Sequence, residues 1–493
     1  MYKRNNIKFQ LLFVFLATFF LSILIFKLID LAHIIFLFPK EDYSVHLAKL
    51  FFFSKYGFHE LVPNWYDGFI LFQHYPPGFY FYSILFYKLL GNLQLAFYFS
   101  IISIYVLGLI SVYWMGKILK LSKVNTALFA GIFFANPIAV ESFFYFGRIT
   151  ELFAWVLFII LICFLYYYKN RKLDKTFLFL VPLCSLIILT HPAILSFSLF
   201  LLFGFILYKQ NFFERIYAVL LIAFSFLLTS FWWHPFIFSK ATFWDRIYEI
   251  IWEAMAFYSE KLILRENLFF FILPLFFLII LFFYLKKFPK ENSFFLPVIV
   301  LSILCITKLI AFIPILNNPY PLSYHIFFIF MILLIIFKID TKLMARSIVT
   351  LILILLLVYS ILIMPYSTKI PTFEKNDPQL LLLKKVDAPF VFVGYYIDEF
   401  SIYGPAAVLY DLKTPFGWFP QEESEKARNY RYKLFDSIDK NDCPPINEAM
   451  DKVGAVEIIT VDNKCSILKY CGLHKIEKIN NACLYKVINL GNN

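Results

Sequence analysis

Residues 147–168 read GRITELFAWVLFIILICFLYYY, an apolar run with an arginine and a glutamate at its start. As a helix, such a run is long enough to cross about 30 Å of hydrocarbon. Similar runs of roughly 18 to 25 residues recur from residue 9 to residue 365 and then stop. Of the 493 residues, 61% are hydrophobic and only 16% are charged, which excludes a soluble domain of this size. The sequence therefore predicts an α-helical polytopic membrane protein.

Short basic links between the apolar runs predict the orientation, because Lys and Arg are retained on the cytoplasmic side. With the basic N-terminus inside, about eleven spans place every basic link inside and the C-terminus outside. We therefore expect a multi-pass protein of the cell membrane, and we assign its net charge of +12 to these links rather than to nucleic-acid binding. The predicted spans are 9–29, 94–116, 125–141, 147–168, 175–190, 193–208, 216–236, 267–285, 293–313, 321–337 and 345–365.

Two long segments lie outside the predicted spans of the transmembrane module, 1–365. The first is an outer loop, 30–93, in which 78–91 (GFYFYSILFYKLLG) is too short to cross and is predicted to be an interfacial helix. The second, 366–493, has a mixed polar composition and is predicted to be a small extracytoplasmic α/β domain. Its predicted elements are strands at 389–396, 456–461 and 483–488 and an amphipathic helix at 421–438.

Four of the seven cysteines fall in this C-terminal segment, and the other three, Cys163, Cys184 and Cys305, fall in spans. An oxidising compartment and the absence of a CxxC pair favour one or two disulfides over free thiols or a zinc site. The sequence leaves the pairing open. The four are Cys443, Cys465, Cys471 and Cys483.

Candidate functional residues begin in the first outer loop, where Asp42 and His46 are spaced i, i+4. They share one face if this stretch is helical, which would suit a shared proton or metal. Glu41 adds a second carboxylate beside Asp42. The alternative is a set of water-exposed loop charges.

Other polar residues map to the same side of the membrane. Arg148 and Glu151 mark the outer end of the fourth span, as ligand groups or as a self-satisfying ion pair. His191 and His234 mark the outer ends of the fifth and seventh spans, and His74 lies in the first loop. Each histidine alone is more often an interfacial residue than a ligand. Their convergence predicts a polar outer cavity.

Taken in order, these motifs resemble the C-type glycosyltransferase superfamily. The resemblance is strongest to the membrane family labelled 6-pyruvoyl-tetrahydropterin synthase related, and it covers roughly residues 30 to 240. Glu41 replaces the small residue that often precedes the family's Asp. The matching residues are Asp42, His46, Trp65, Gly68, Tyr75, Pro76, Pro77, Arg148, Glu151, Leu189, Thr190 and His191.

The resemblance implies transfer of a sugar from a polyprenyl-phosphate donor to a glycan, lipid or protein acceptor on the outer face, with inversion. Asp42 would be the base or a carboxylate that orients the acceptor, and His46 would assist it or join it in binding a divalent metal (Mn²⁺, Mg²⁺ or Zn²⁺). Metal dependence stays open. Substrate and phosphate binding would fall to Arg148, Glu151, His191, His74 and Tyr75, with Glu151 orienting Arg148.

Two other classes of function remain. A transporter or flippase of lipid-linked sugar would also collect polar residues near the membrane, but it would usually show internal repeats or discontinuous spans at mid-bilayer depth. A non-catalytic scaffold of the same fold would need a closed cavity or an Asp42 that points to bulk water.

Overall fold

The computed structural model describes residues 2–238, 264–313, 316, 320–338, 369–394, 401–417 and 425–487. Helices form nearly all of the described chain up to residue 338. In order they are α1 (Tyr2–His33), α2 (Glu41–Tyr56), α3 (Gly78–Leu90), α4 (Leu93–Ile118), α5 (Lys123–Ala135), α6 (Pro137–Val140), α7 (Ile149–Tyr168), α8 (Leu180–Thr190), α9 (Pro192–Tyr208), α10 (Phe212–Leu228), α11 (Ser230–Phe238), α12 (Leu264–Lys287), α13 (Asn292–Ile306) and α14 (Pro321–Lys338).

Six of these described helices are long and apolar enough to cross a membrane, or seven if the bent pair α5 and α6 forms one span. The bend is 48° and falls where Asn136 precedes Pro137. Proline disfavours helical backbone at the residue before it, and the Asn136 side chain caps the new helix by accepting from Ala139 N at 3.1 Å. The apolar helices α8 and α9 are shorter. The predicted total of about eleven spans stays a prediction, and 345–365 lies outside the described residues.

Two predicted spans differ from continuous helices. The span 216–236 breaks at Thr229, whose hydroxyl donates to Ser225 O at 2.9 Å and to Phe226 O at 3.1 Å, so that α10 and α11 are separate helices. The span 293–313 ends as α-helix at Ile306, because Lys308 adopts a left-handed backbone with φ 58°. Continuous hydropathy does not reveal either break.

The helical bundle is built around α14, whose side chains are almost entirely buried. Helix α7 packs along α4, α1 packs along α5, and α12 lies against α14. Aromatic rings fill the centre: Phe133 and Phe158 each pack edge-on against Phe330 of α14 with centroids 5.4 Å apart. Such offset contacts are favoured by the quadrupoles of the rings.

The first outer loop folds into short elements that sit on the bundle. Its strands β2 (Leu61–Val62) and β3 (Phe69–Ile70) form an antiparallel hairpin between α2 and α3. The predicted short helix at 78–91 is confirmed as α3. The stretch with Asp42 and His46 is helical, as α2, so the condition for their sharing one face is met; Glu41 and Asp42 lie in its first turn, where negative charge complements the helix dipole.

The C-terminal region, by which we mean the described residues from 369 to 487, contains a four-stranded sheet in the order β5–β6–β8–β7. Strands β5 and β6 are parallel and the other pairs are antiparallel. Three strands fall on the predicted runs, and the predicted helix is found at Glu425–Asp439. The strands are β5 (Phe390–Val393), β6 (Glu457–Val461), β7 (His474–Ile479) and β8 (Ala482–Lys486). Its boundaries as a domain stay a prediction.

Two disulfides join the elements around this sheet. They pair Cys443 with Cys471 and Cys465 with Cys483, with Cα atoms 5.0 and 5.8 Å apart. The preference for disulfides over a zinc site is therefore confirmed, and the pairing that the sequence left open is supplied. The three cysteines in spans are buried and free.

Candidate functional site

One face of α2 carries the first residues of the site. Asp42, His46 and Lys49 follow one another at helical spacing, so all three lie on the same face. Asp42 is half-buried, whereas His46 and Lys49 are 3% and 0% exposed. The partly exposed Asp42 therefore lies at one end of this row, and the buried His46 and Lys49 side chains follow it.

The start of α2 is held by main-chain contacts. Asp42 N donates to Phe146 O at 3.2 Å, which places the carboxylate beside the segment that leads into α7. Glu41 has a left-handed backbone with φ 54° and is itself buried. The structure therefore brings Glu41 inside the protein instead of leaving it on the loop surface.

His46 is fixed by a hydrogen bond between its Nδ1 and the hydroxyl of Tyr80, at 2.7 Å. Burial holds the pKa of His46 well below its usual 6.5, and the positive charge of Lys49 and the neighbouring His191 lower it further. The imidazole is therefore neutral at pH 7. A neutral imidazole can accept a proton or bind a metal.

Tyr75 connects α2 to α7. The Lys49 Nζ lies 3.9 Å from the centroid of the Tyr75 ring, and the Tyr75 hydroxyl shares a hydrogen bond of 2.8 Å with Thr150 Oγ1 in the first turn of α7. Burial raises the pKa of Tyr75, so the hydroxyl stays protonated. His74 lies beside it in the loop, partly buried.

The loop after Tyr75 packs directly on the end of α8. A Cβ at Gly78 would lie 2.7 Å from both Leu189 O and Thr190 Oγ1, so only glycine permits this approach. From the other side, Trp232 Nε1 of α11 donates to Tyr75 O at 3.1 Å. The Tyr-Pro-Pro-Gly and Leu-Thr-His motifs are therefore in contact.

Arg148 precedes α7 and follows a π-helical turn, Glu141–Tyr145. Gly147 makes the turn with φ 71°, and a Cβ there would overlap the ring of Tyr43. The Arg148 guanidinium stacks 3.7 Å from the ring centroid of Tyr320. Its Nη1 is buried and has no hydrogen-bond partner among the described residues. Such an unsatisfied donor costs free energy unless a ligand meets it.

Glu151 does not orient Arg148 in the described part of the chain. The Glu151 carboxylate is 1% exposed and accepts a hydrogen bond of 3.1 Å from Trp155 Nε1, one turn further along α7. Tying the carboxylate to the tryptophan leaves the arginine without the ion pair that the sequence suggested.

His191 is the extended residue (φ −158°, ψ 123°) that joins α8 to α9. Its Nδ1 is buried and makes no hydrogen bond within the described ranges. The charges of Glu151 and Arg148 both act on His191, and His191 in turn acts on His46. Together with the contacts of Tyr75 with Lys49 and Thr150 and of Gly78 with the end of α8, these interactions indicate that the end of α8, the start of α7 and the face of α2 lie around one site.

We use the term polar cluster for the residues that the structure brings together in this way. His234 is exposed on α11 and is not counted with them. The polar cluster consists of Asp42, His46, Lys49, Tyr75, Arg148, Glu151 and His191.

Sequence reasoning missed four residues that shape the cluster. Lys49 carried a signal, because it lies seven residues after Asp42 and therefore on the same helix face. Thr150 and Tyr80 act through hydroxyls in apolar surroundings, and Tyr320 comes from a distant part of the chain. For these three the sequence holds no local signal.

A divalent metal would have few protein ligands here. No group of three His, Cys, Asp or Glu side chains that could hold a metal ion occurs among the described residues. Asp42 and His46 could supply one carboxylate and the imidazole Nε2, since Nδ1 is engaged by Tyr80. The described residues offer an ion this pair alone, and no chemical step below depends on a metal.

Comparison with solved structures defines the class of fold. A crystal structure of the Archaeoglobus fulgidus oligosaccharyltransferase, in complex with Zn and sulfate, matches with a TM-score of 0.56 and 12% identity over 89% of this chain and 68% of that one. A second, tethered with an acceptor peptide containing the NVT sequon via a disulfide bond, matches with a TM-score of 0.50 and 12% identity over 90% and 69%. The chain therefore shares its fold with this oligosaccharyltransferase.

Within that class the chain belongs to the family described as 6-pyruvoyl-tetrahydropterin synthase related domain, a membrane protein family, which matches residues 72–370. The matched range includes Tyr75, Arg148, Glu151 and His191, whereas Asp42 and His46 precede it. No curated protein matches the chain.

Proposed function

We propose that this protein is a membrane glycosyltransferase that moves a sugar from a polyprenyl-phosphate donor to an acceptor on the outer face of the cell membrane, with inversion. The observation that supports this most is the pair of buried donor atoms, Arg148 Nη1 and His191 Nδ1, that have no partner in the described chain. They lie in the same cluster as a half-buried carboxylate, Asp42. Donors for an anion beside a base are what such a transfer needs.

The proposed reaction is a single displacement at the anomeric carbon. Asp42 takes the proton of the acceptor hydroxyl as its oxygen attacks, and the bond between the anomeric carbon and the phosphate oxygen breaks. The electron pair leaves with the lipid phosphate. Attack opposite the leaving group inverts the configuration.

The departing phosphate gains negative charge, which Arg148 and His191 would stabilise by hydrogen bonds. Stacking on Tyr320 holds the guanidinium plane in place before the ligand arrives. Lys49, which packs on the Tyr75 ring, would add a second positive charge to the phosphate site. The negative charge of the Glu151 carboxylate, which lies in the same buried region, would partly offset the positive charge of Arg148 and Lys49.

His46 and Tyr75 would orient substrates. The neutral imidazole keeps Nε2 for a sugar or acceptor hydroxyl, and the Tyr75 hydroxyl remains a donor to the sugar or to Thr150. His74 would contact the sugar from the same loop. A metal at Asp42 and His46 would be supported by metal-dependent donor binding in EDTA-treated protein, and binding that ignores added Mn²⁺, Mg²⁺ and Zn²⁺ would dismiss it.

The test is transfer by purified protein in liposomes, with a panel of radiolabelled polyprenyl-phosphate sugars and glycan, lipid and peptide acceptors. We expect turnover with one donor, and we expect Asp42→Asn to abolish it while donor binding remains. Asp174→Asn is the matched control, since Asp174 lies at the other end of α7, where it accepts from Thr176 N at 2.9 Å and from the Tyr168 hydroxyl at 2.7 Å. Loss of turnover in both variants would reject Asp42 as the base.

The same liposomes separate the rival functions. Movement of labelled lipid-linked sugar across the bilayer without transfer would replace our proposal with a flippase. Neither transfer nor binding with any donor would favour a non-catalytic scaffold. The flippase has less support, because Arg148 and Glu151 lie at the start of α7 rather than along its middle.

A further inference from the structure

The first turn of α2 is bound by a residue of the C-terminal region, Ser401. The Glu41 N–H donates to Ser401 Oγ at 3.0 Å, and the Ser44 hydroxyl donates to Ser401 O at 2.7 Å. All three residues are buried, and Ser401 is 0% exposed. Asp42 therefore lies between two residues, Glu41 and Ser44, that are both hydrogen-bonded to Ser401.

Backbone pairing reinforces this contact just before α2. The short strand β1 (Phe38–Pro39) pairs with β4 (Thr372–Phe373), and Lys40 N donates to Pro371 O at 2.9 Å. The helix Tyr403–Tyr410 then packs along α2. It approaches so closely that a side chain at Gly404 would overlap Ser44.

The far end of α2 is held by the same region. Lys55 Nζ lies 2.5 Å from Asp411 Oδ2, and Asn64 Nδ2 donates to Asp411 Oδ1 at 3.0 Å. Thr414 N donates to Asn64 O at 2.8 Å. Helix α2 is thus bound at both ends by the C-terminal region while its polar face meets the bundle.

We infer that Ser401 is a positioning residue that sets the location of the Asp42 carboxylate, a role that rests on the proposed transferase function. Glu41 has a left-handed backbone, which a residue with a side chain adopts only when its surroundings impose it. The Ser401 hydroxyl accepts the N–H of this residue. Because Asp42 is the next residue, any relaxation of Glu41 rotates the Asp42 peptide and displaces its carboxylate.

The closing experiment compares Ser401→Ala with Thr460→Val in full-length protein in nanodiscs. Thr460 is the matched control, because its buried hydroxyl donates to Val393 O at 2.8 Å within the C-terminal sheet and is remote in sequence from α2. Displacing a catalytic group by about 1 Å can cost on the order of 10²-fold in rate. By that argument we expect Ser401→Ala to lower kcat by roughly tenfold or more, with an unchanged KM for the donor. We expect Thr460→Val to retain the wild-type kcat.

Amide hydrogen exchange supplies a readout that does not need activity. We expect faster exchange over residues 41–46 in Ser401→Ala than in wild type, and wild-type exchange there in Thr460→Val. If the wild type transfers no sugar, the proposed function fails, and the exchange result alone decides whether Ser401 fixes α2.

Three outcomes would overturn the inference: wild-type kcat in Ser401→Ala, an equal loss of kcat in Thr460→Val, or unaltered exchange over 41–46. If Ser401→Ala does not accumulate, Ser44→Ala removes the second hydrogen bond from the other side. It should show the same faster exchange and lower kcat, and wild-type behaviour of that variant would equally reject the role.

Discussion

Helix α7 has a cation at each end, and the two ends are built differently. Its 20 residues span about 30 Å at 1.5 Å per residue, so Arg148 and Lys169 lie on opposite sides of the bundle. At the far end, Lys169 Nζ is 2.8 Å from a Glu291 oxygen, and Lys338 Nζ is 2.8 Å from the other. At the near end the Arg148 guanidinium lies over the rings of Phe146 and Tyr320, and its Nη1 has no hydrogen-bond partner among the described residues.

The difference separates structural charge from functional charge. At the far end, where the lysines only join helices, the chain supplies a carboxylate and a tyrosine. The carboxylate is Glu291, to which Tyr284 also donates at 2.6 Å. At the start of α7 a carboxylate is close, yet Glu151 is hydrogen-bonded to Trp155 instead. An arginine without a carboxylate partner in the described part of the chain is suited to an anion that comes from outside it.

The largest effect is expected from loss of the base, Asp42 in the first turn of α2, whose N–H is bonded to Phe146 O just before α7. Asp42→Asn should lower turnover by about 10²- to 10⁴-fold, because the amide cannot take the acceptor proton. Donor binding and the thermal unfolding midpoint should stay at wild-type values, measured by equilibrium binding and by scanning fluorimetry. Retained turnover would move the base elsewhere and weaken the contrast between the two ends.

The next effect is on stability and belongs to the far end of α7. Glu291→Gln removes the one carboxylate between two largely buried lysines, which should cost about 3–5 kcal/mol of unfolding free energy. Turnover per folded molecule should not change. Denaturant unfolding in mild detergent measures the first quantity, and transfer normalised to folded protein measures the second.

Glu448→Gln is the control for that prediction. Glu448 is paired with Lys433 at 2.5 Å, but its side chain is 51% exposed. Removing an exposed pair should cost only about 0 to 1 kcal/mol. Similar losses in both variants would show that burial of the ion pair is not what matters.

Arg148→Ala should lower transfer activity rather than stability, which is the opposite of the effect expected for Glu291→Gln. Transfer should fall by about 10²- to 10³-fold with little loss of stability, because Nη1 bonds no group among the residues that the structure describes. Arg148→Lys should restore little, since an ammonium cannot reproduce the planar stack on Tyr320. A matched control is Arg215→Ala. Arg215 lies away from the polar cluster, and its Nε donates to Lys209 O at 2.5 Å. Stability lost at Arg148 but not at Arg215 would argue for a structural arginine.

The smallest effect concerns pH and His46. Burial, Lys49 and His191 hold its pKa well below 6.5 in the folded protein, whereas the unfolded chain regains the ordinary value. The unfolded state therefore binds more protons as the pH falls below 6.5, and stability decreases toward the folded pKa by at most about 1.4 kcal/mol per pH unit. In EDTA, the slope of the unfolding free energy against pH should become equal in wild type and His46→Gln above about pH 7.5, one unit beyond the unfolded pKa. Identical slopes below pH 6.5 would show that His46 is not held neutral.

Local pattern was enough to predict several elements of the fold. The short helix after Pro77 and the apolar strands at 390–393 and 457–461 follow from punctuation by Gly and Pro and from runs of β-branched and aromatic residues. Strand β7 (HKIEKI) was missed because it is an edge strand with mostly exposed polar side chains. The break at Thr229 was missed because hydropathy there is continuous.

The site was predictable only along single helices. The spacing of Asp42 and His46 carried over to α2, and the same spacing contains Lys49. Tyr320 over Arg148 and Ser401 under Glu41 are contacts between distant parts of the chain, so no window of sequence contains them. The assignment of Glu151 to Trp155 rather than Arg148 depends on side-chain geometry that spacing alone does not determine.

The hydrogen bond between Glu41 and Ser401 joins residues 360 positions apart. On a ribosome adding about 5–20 residues per second, the acceptor is synthesised roughly 20 to 70 s after the donor. For that interval the N-terminal end of α2 lacks the group that holds it, and strands β6 to β8 and the two disulfides follow later still. The order of synthesis therefore delays completion of the site until the chain has been made as far as residue 401.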